Sequence, residues 1–108
     1  MDNKIFNLLG LARRAGKIAW GHDTALFAIK SKKAHLCIVA SDVSDRLKRE
    51  FSRECTYDGR NIKIIELDKT MEDMRFVIGV KTGVFTINDE GFAKKIEQIQ
   101  ASDSNEMN

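Results

Sequence analysis

The chain has 108 residues, 43% of them hydrophobic, with 18 lysines and arginines, 16 aspartates and glutamates, two cysteines and no proline. This length and composition predict one compact domain and exclude a two-domain enzyme with a deep cleft between lobes. The longest strongly apolar run, residues 36–40, is far shorter than the roughly 20 residues that cross a bilayer. No signal-peptide pattern is visible at the N-terminus, so we expect a protein that is not inserted in a membrane.

The two cysteines indicate a reducing compartment. Cys37 and Cys55 lie outside any CxxC pair, and each falls in a hydrophobic pattern. Buried, reduced thiols in a cytoplasmic protein are the expected interpretation. A disulfide or a metal-binding pair is the alternative.

The formal net charge of +2 conceals an asymmetry along the chain. Residues 1–49 contain ten basic and four acidic residues, a balance of +6, whereas the remainder has a balance of −4. Such a division indicates a basic face directed at a polyanion and an acidic face turned away, as in many nucleic-acid binders. Chance clustering of charges on solvated helices is the alternative.

The spacing of apolar residues predicts alternating helices and strands. Helical spacing predicts five helices, over about 3–15, 21–31, 44–55, 70–78 and 88–101. Runs of β-favouring residues predict four strands, over about 18–20, 36–40, 62–67 and 84–87. The continuous apolar run 36–40 is typical of a central strand covered on both faces. Caps and stops are predicted at Ser44, Thr70 with Asp73, Asn88, Gly16 and Gly79.

The predicted order αβαβαβαβα implies a fold of the α/β class. Helices that alternate with strands cover both faces of one sheet, so we expect a three-layer α/β/α sandwich with about four strands. Residues 1–101 form this single predicted domain. Residues 102–108 are polar and are expected to be a frayed tail.

The sequence lacks the motifs of common enzyme sites. It contains no HExxH, GxSxG or Walker loop, and the glycine-rich stretch 79–83 follows a helix where a phosphate loop would follow a strand. Asp42, at the end of the central strand, suggests a receiver-type phosphoacceptor. Trp20 and Gly21 stand where that site needs acidic residues for Mg²⁺. We therefore predict a protein without catalysis, metal or cofactor.

The junction between the first strand and the second helix is the strongest candidate for a binding site. Gly21 precedes His22, Asp23 and Thr24 at a helix N-terminus, where free N–H groups and the helix dipole attract phosphate. Ordinary capping by Asp23 or Thr24, with nothing bound, is the alternative. Basic residues precede the junction and follow the helix, namely Arg13, Arg14, Lys17, Lys30, Lys32 and Lys33.

Two aromatic residues lie close to this junction in the sequence. Trp20 and Phe27 could stack on nucleic-acid bases, or they could belong to the hydrophobic core.

Several stretches resemble one family in their order along the chain. They are LLGLARRAGK at 8–17, Gly21, AHLCIVASD at 34–42, Ile78-Gly79 and NDEGFA at 88–93. They resemble the kink-turn RNA-binding family of ribosomal proteins, and above all its small bacterial branch of ribosomal-protein-like RNA binders. The superfamily also includes archaeal and eukaryotic large-subunit proteins, the box C/D small nucleolar ribonucleoprotein core protein, and the growth-arrest-and-DNA-damage proteins. The resemblance covers residues 3–100 approximately and implies the same α/β/α fold.

The resemblance implies binding of a sharply bent internal loop of RNA that contains tandem sheared G·A pairs, without catalysis. The family's binding loop, Gly-x-Asn-Glu-x-x-Lys, falls on residues 21–27, where Gly21 is retained. Asp23 and Thr24 replace its Asn and Glu, and Phe27 replaces its Lys. Both polar replacements can still accept a hydrogen bond, but these departures, with the lysine replaced by Phe27, lead us to expect a weaker guanine contact. The second family contact falls on Val80, Lys81 and Thr82.

The expected partner is therefore RNA, in a ribosomal or ribosome-associated protein that acts as a monomer. The alternative is a protein-interaction module of the same fold with weak or nonspecific RNA affinity, because some branches of the superfamily bind proteins.

Overall fold

A computed structural model describes residues 3–106 of the chain. Five α-helices and four strands alternate along it. The helices are α1 (Asn3–Arg14), α2 (His22–Lys30), α3 (Asp45–Thr56), α4 (Met71–Ile78) and α5 (Glu90–Glu106). The strands are β1 (Ile18–Trp20), β2 (Leu36–Val39), β3 (Lys63–Glu66) and β4 (Val84–Ile87), and a single 3₁₀ turn, Tyr57–Gly59, follows α3.

The strands form one mixed sheet in the order β1-β4-β2-β3. β4 is antiparallel to both of its neighbours, with Phe85 opposite Trp20 on one side and Ile38 on the other. β2 and β3 are parallel. All residues of β2 and β4 are buried, which confirms the prediction that 36–40 contains a central strand.

Helices cover both faces of this sheet. α2 packs against α3, β1 and β4, while α1 packs against α4 and α5 on the other side of the sheet. The predicted three-layer α/β/α sandwich is confirmed. No helix within residues 3–106 combines the length and the apolar composition that a membrane span requires.

The predicted apolar stripes form the core. Leu9, Ile29, Phe51, Met74 and Ile96, one from each helix, are fully buried. Burying a side chain of this size stabilises the fold by about 1.5–3 kcal/mol. The helical spacing therefore identified the inward face of every helix.

Two helix starts illustrate how caps fix the element boundaries. Ser44 accepts a hydrogen bond from the Leu47 N–H, and Thr70 forms the predicted capping box with Asp73. That hydrogen bonding lowers the pKa of Asp73.

The last helix corrects two predictions. Its cap is Asp89, whose Oδ2 accepts the Phe92 N–H at 2.8 Å, because the side chain of Asn88 already accepts the Thr86 hydroxyl. The helix also continues to Glu106, so residues 102–106 are helical where the sequence predicted a tail. Residues 107 and 108 lie outside the described part of the chain.

Both cysteines are buried and free, as expected for reduced thiols. Cys37 lies on β2 and Cys55 in the last turn of α3. A hydrogen bond with the Cys55 thiol, together with burial, raises the pKa of Cys37. This thiol therefore stays protonated and unreactive at neutral pH.

Candidate nucleic-acid interface

Four loops meet at one edge of the sheet. β1, β2 and β3 run in one direction and β4 in the opposite direction. The loops that follow the first three strands therefore meet the loop that precedes β4. We call this the loop edge, formed by residues 21–24, 40–44, 67–70 and 79–83.

Hydrogen bonds join these loops to one another. The Gly21 N–H donates to the Val84 carbonyl at 3.1 Å, and the Ala40 N–H donates to the Gly83 carbonyl at 2.9 Å. Asp42 accepts the Met71 N–H at 2.9 Å, so its carboxylate joins the loop after β2 to the start of α4. This contact gives Asp42 a structural role.

Gly21 begins α2 in a conformation that favours glycine. Its φ is 95°, and no side chain caps the helix at this position. The capping predicted as the alternative, by Asp23 or Thr24, is therefore absent from this helix start. His22, Asp23 and Thr24 are all exposed there, and within residues 3–106 no side chain caps the backbone N–H groups of this first turn.

His22 ties this helix start to α3. Its Nε2 lies 3.0 Å from Oε1 of Glu50, and its Nδ1 lies 3.3 Å from Oδ1 of Asp23. The edge of the imidazole packs against the ring of Phe51, with 5.3 Å between centroids. The hydrogen bonds to Glu50 and Asp23 raise the pKa of His22 against the opposing effect of burial.

Arg13 holds two loops in place rather than extending into solvent. Its Nε donates to the carbonyl of Ile78 at 3.1 Å, and its guanidinium lies 4.2 Å from the centre of the Trp20 ring. Ile78 precedes the loop 79–83, and Trp20 precedes Gly21. Because Arg13 covers its ring, Trp20 is part of the packed structure and is not an open surface for a base.

The α4–β4 loop presents one charged side chain. Lys81 is exposed, with its Nζ 3.9 Å from Oε1 of Glu72, whereas Val80 packs against the core. Thr82 is buried, and its hydroxyl donates to the Val84 carbonyl at 2.9 Å. The hydroxyl therefore shapes the loop, which leaves Lys81 as the predicted site residue that can reach a ligand.

The loop edge also needs a small residue at Gly83. A Cβ there would lie 2.6 Å from Cγ1 of Val43 and 3.1 Å from Sδ of Met71. Cβ atoms essentially never approach another heavy atom as closely as 2.6 Å, so the glycine permits the close packing of the loops after β2 and before β4.

Three of the predicted basic residues lie at the opposite edge of the sheet. Lys17 precedes β1, and its carbonyl accepts the Asn88 N–H at 2.7 Å. Lys32 and Lys33 precede β2, close to His35, whose N–H donates to the Ile87 carbonyl at 2.8 Å. Lys32 and Lys33 are therefore separated from Gly21 by the length of α2, which is about 13 Å at 1.5 Å per residue, and Lys17 is separated from it by β1. Arg14 lies elsewhere, in a shallow groove between α1 and α4.

α2 connects the two ends of this divided site. Lys30 lies in its last turn, and Phe27 lies between Lys30 and the loop edge. The Phe27 side chain is 64% exposed, so it is not part of the core. The Nζ of Lys33 lies 5.8 Å from the centre of its ring.

A stripe of arginines on α3 was not predicted as part of the site from the sequence. Arg46, Arg49 and Arg53 are exposed on one face of this helix, and none has an ion-pair partner within the described residues. Their spacing of three and four places them in one row. Spacing by three and four residues identified the apolar face of α3. The same spacing among its arginines indicates the stripe.

Comparison with known proteins shows which family the chain belongs to. The sequence profile described as the ribosomal protein L7Ae/L30e/S12e/Gadd45 family matches residues 3–97. The chain belongs to this family. The resemblance inferred from the sequence is thereby confirmed.

Two relatives in the L7Ae/L30e/S12e/Gadd45 family carry the name RNA-binding protein YlxQ. The one from Enterococcus faecium is 35% identical over 96 residues, covering 89% of this chain and 90% of the relative. The one from Bacillus subtilis (strain 168) is 31% identical over 96 residues, covering 84% of this chain and 89% of the relative.

Two solved structures share the fold. A protein with unknown function from Bacillus halodurans C superposes with a TM-score of 0.81 at 24% identity, covering 90% of this chain and 96% of the other. A 15.5kD RNA binding protein from Giardia lamblia superposes with a TM-score of 0.69 at 18% identity, covering 94% of this chain and 89% of the other.

Within residues 3–106, no three His, Cys, Asp or Glu side chains are grouped so that they could hold a metal ion. Two open surface depressions lie on the described part of the chain, one beside Arg60 and one between α1 and α4.

We expect the contacts of His22 to make stability depend on pH. Because Glu50 and Asp23 raise its pKa above 6.5, the charged imidazole stabilises the folded state. This contribution is fully present below the unfolded pKa and is lost as the pH rises through the folded pKa. The side chain is 45% exposed, so the contribution is at most about 1 kcal/mol.

Urea unfolding of the wild type and His22→Gln, from about pH 5.5 to about pH 8.5, measures this effect. The free energy of unfolding of the wild type should exceed that of His22→Gln by the largest amount at the acidic end of this pH range. His35→Gln is the matched control, since the His35 side chain has no carboxylate contact within the described residues. A difference between the wild type and His22→Gln that does not change with pH would contradict the prediction.

Proposed function

We propose that this protein is a non-catalytic binder of structured RNA and that the loop edge contacts the RNA. The observation that carries the proposal is the start of α2. Gly21 begins the helix with no side-chain cap, and the residues of its first turn are exposed. Such a helix start binds phosphate through its N–H groups and its dipole. The names of the two YlxQ relatives agree with this proposal.

The proposed target is a bent internal loop of RNA with tandem sheared G·A pairs, in ribosomal or ribosome-associated RNA in the cytoplasm. Internal loops expose base edges that an A-form duplex hides. Asp23 and Thr24 present oxygen acceptors at the loop edge, where they can accept hydrogen bonds from the amino and imino groups of guanine. A carboxylate repels phosphate, so Asp23 contributes to base recognition rather than to general affinity.

General affinity would come from cations on the neighbouring surface. Lys81 extends from the loop edge, Lys30 ends α2, and the arginine stripe lies on the adjacent α3. Each phosphate that a lysine or arginine neutralises releases counterions, so affinity should fall steeply with salt. The cations with this proposed role are Lys30, Lys32, Lys33, Arg46, Arg49, Arg53 and Lys81.

A protein-interaction role is the second candidate, and one surface favours it. Phe76 on α4 is 83% exposed beside a groove lined by Phe6, Gly10, Arg14 and Val77. Contiguous apolar surface, such as that of Phe76 with Phe6 and Val77, is typical of a protein contact. This surface lies on α1 and α4, away from α2.

Titration of two RNAs discriminates between the two functions. One is a kink-turn RNA, and the other has its G·A pairs replaced by Watson–Crick pairs. The base contacts at Asp23 and Thr24 should favour the kink-turn by about 10-fold or more at fixed salt, since one good base contact discriminates by about 1–3 kcal/mol. Equal affinity for both RNAs would contradict the proposed recognition and favour the protein-interaction role.

The contribution of the basic end of α2 can be measured separately. Lys30→Ala with Lys33→Ala removes two phosphate contacts, so affinity should fall for both RNAs. The slope of log K against log salt should decrease by up to about 1.8. Lys94→Ala with Lys95→Ala makes the same charge change on α5, on the other face of the sheet, and should leave the slope unchanged. If both double variants lowered the slope equally, the effect would come from net charge and not from phosphate contacts at Lys30 and Lys33.

A further inference from the structure

Phe27 is a large apolar side chain that the fold leaves uncovered. It is 64% exposed on α2, where burial would have contributed to stability. Its position on the helix also departs from the family pattern, which has a lysine there. The residue therefore contributes little to the core and is placed where a ligand can reach it.

The Phe27 ring lies on the same exposed face of α2 as Thr24, which belongs to the loop edge. Thr24, Phe27 and Ser31 share one exposed face of α2, because they are spaced by three and four residues. Phe27 lies about 4.5 Å from Thr24 along the helix axis, at 1.5 Å per residue. A strand whose phosphate meets the start of α2 can continue over this ring.

The chain after α2 turns back so that a lysine lies over Phe27. The Lys33 N–H donates to the Ala28 carbonyl at 2.9 Å, and the Lys32 N–H donates to the Ile29 carbonyl at 3.2 Å. These two bonds form a Schellman motif, in which the left-handed residue is usually glycine. Here that residue is Lys32, with a φ of 64°. Lysine is thus present at a strained position, and the turn carries Lys33 to within 5.8 Å of the Phe27 ring centre.

We propose that Phe27 stacks on an unpaired base of the bound RNA while Lys30 and Lys33 neutralise the phosphates beside that base. This inference rests on the proposed RNA-binding function and assigns Phe27 a contact with an unpaired nucleotide of the RNA. Stacking on an aromatic ring accepts every base, because every base has a π-face. The site would therefore recognise the presence of a base and not its identity.

The surroundings of Phe27 favour a nucleotide over an apolar protein segment. Its neighbours on the exposed face are polar, Thr24 and Ser31, and the nearest charged group over the ring is the Lys33 ammonium. An isolated ring among cations suits a ligand that is both aromatic and anionic. Phe76, by contrast, borders a groove with Phe6 and Val77.

A mutant cycle with abasic RNAs tests the proposal. Each RNA of the series lacks the base at one unpaired nucleotide of the kink-turn but keeps every phosphate and both G·A pairs. For the wild type, one such removal should lower the affinity by about 5- to 150-fold. Phe27→Ala should lose a similar factor on the intact RNA and should no longer distinguish it from that abasic RNA.

Two further variants sharpen the result. Phe76→Ala removes another exposed phenylalanine, from α4, and should behave as the wild type throughout. Phe27→Lys restores the family's residue, so it should bind the intact and the abasic RNA equally while retaining a steep salt dependence. Circular dichroism of each variant verifies folding, which an exposed side chain should not affect.

The outcomes separate this inference from the proposed function. If Phe27→Ala binds every RNA as the wild type does, the stacking claim is overturned while RNA recognition stands. If the wild type does not prefer the kink-turn, the abasic series is repeated in the RNA without G·A pairs. If base removal there lowers the affinity of the wild type and of Phe27→Ala equally, stacking is overturned as well. If no RNA binds, both claims fail, and an acidic peptide becomes the ligand to test.

Discussion

The antiparallel insertion of β4 between β1 and β2 is the constraint on which the candidate site depends. In a purely parallel sheet, the loop that precedes a strand lies at the edge opposite to the loops that follow its neighbours. Because β4 runs against β1 and β2, the loop 79–83 instead emerges beside Gly21. The hydrogen bond from the Gly21 N–H to the Val84 carbonyl fixes this neighbourhood. Arg13 then holds the two segments that lead into these loops.

The predicted site residues consequently divide into supports and contacts. The side chains of Arg13 and Thr82 donate hydrogen bonds to backbone carbonyls of the protein itself, and His22 contacts the carboxylate of Glu50. Lys81, Lys30 and the arginine stripe on α3 keep their charges at the surface. α2 joins both ends of the site, because its first turn forms part of the loop edge and its last turn leads into the basic segment. An RNA strand that follows α2 would meet the helix start with its phosphate, then Asp23 and Thr24 with its base edges, and then the ring of Phe27.

The sequence was sufficient for the elements but not for their arrangement. The apolar spacing identified every helix and strand, because the period of burial is local to each element. Strand order depends on contacts distant in sequence, so the antiparallel β4 was not predictable from alternation alone. Neighbouring residues also compete for one role, as when Asp89 caps α5 because Asn88 binds Thr86. Whether a cation such as Arg13 turns inward, or a phenylalanine such as Phe27 stays outside, is decided by packing that no single-residue property encodes.

The most direct test of the account maps the RNA onto the protein. Backbone amide resonances of the full chain can be followed by nuclear magnetic resonance during titration with a kink-turn RNA. The account predicts the largest shifts at Gly21, Asp23, Thr24 and Lys81, with smaller shifts along α2 and the outer face of α3. Shifts confined to Gly10, Phe76 and the rest of the α1 and α4 surface would contradict it and would place the RNA on the opposite side of the sheet.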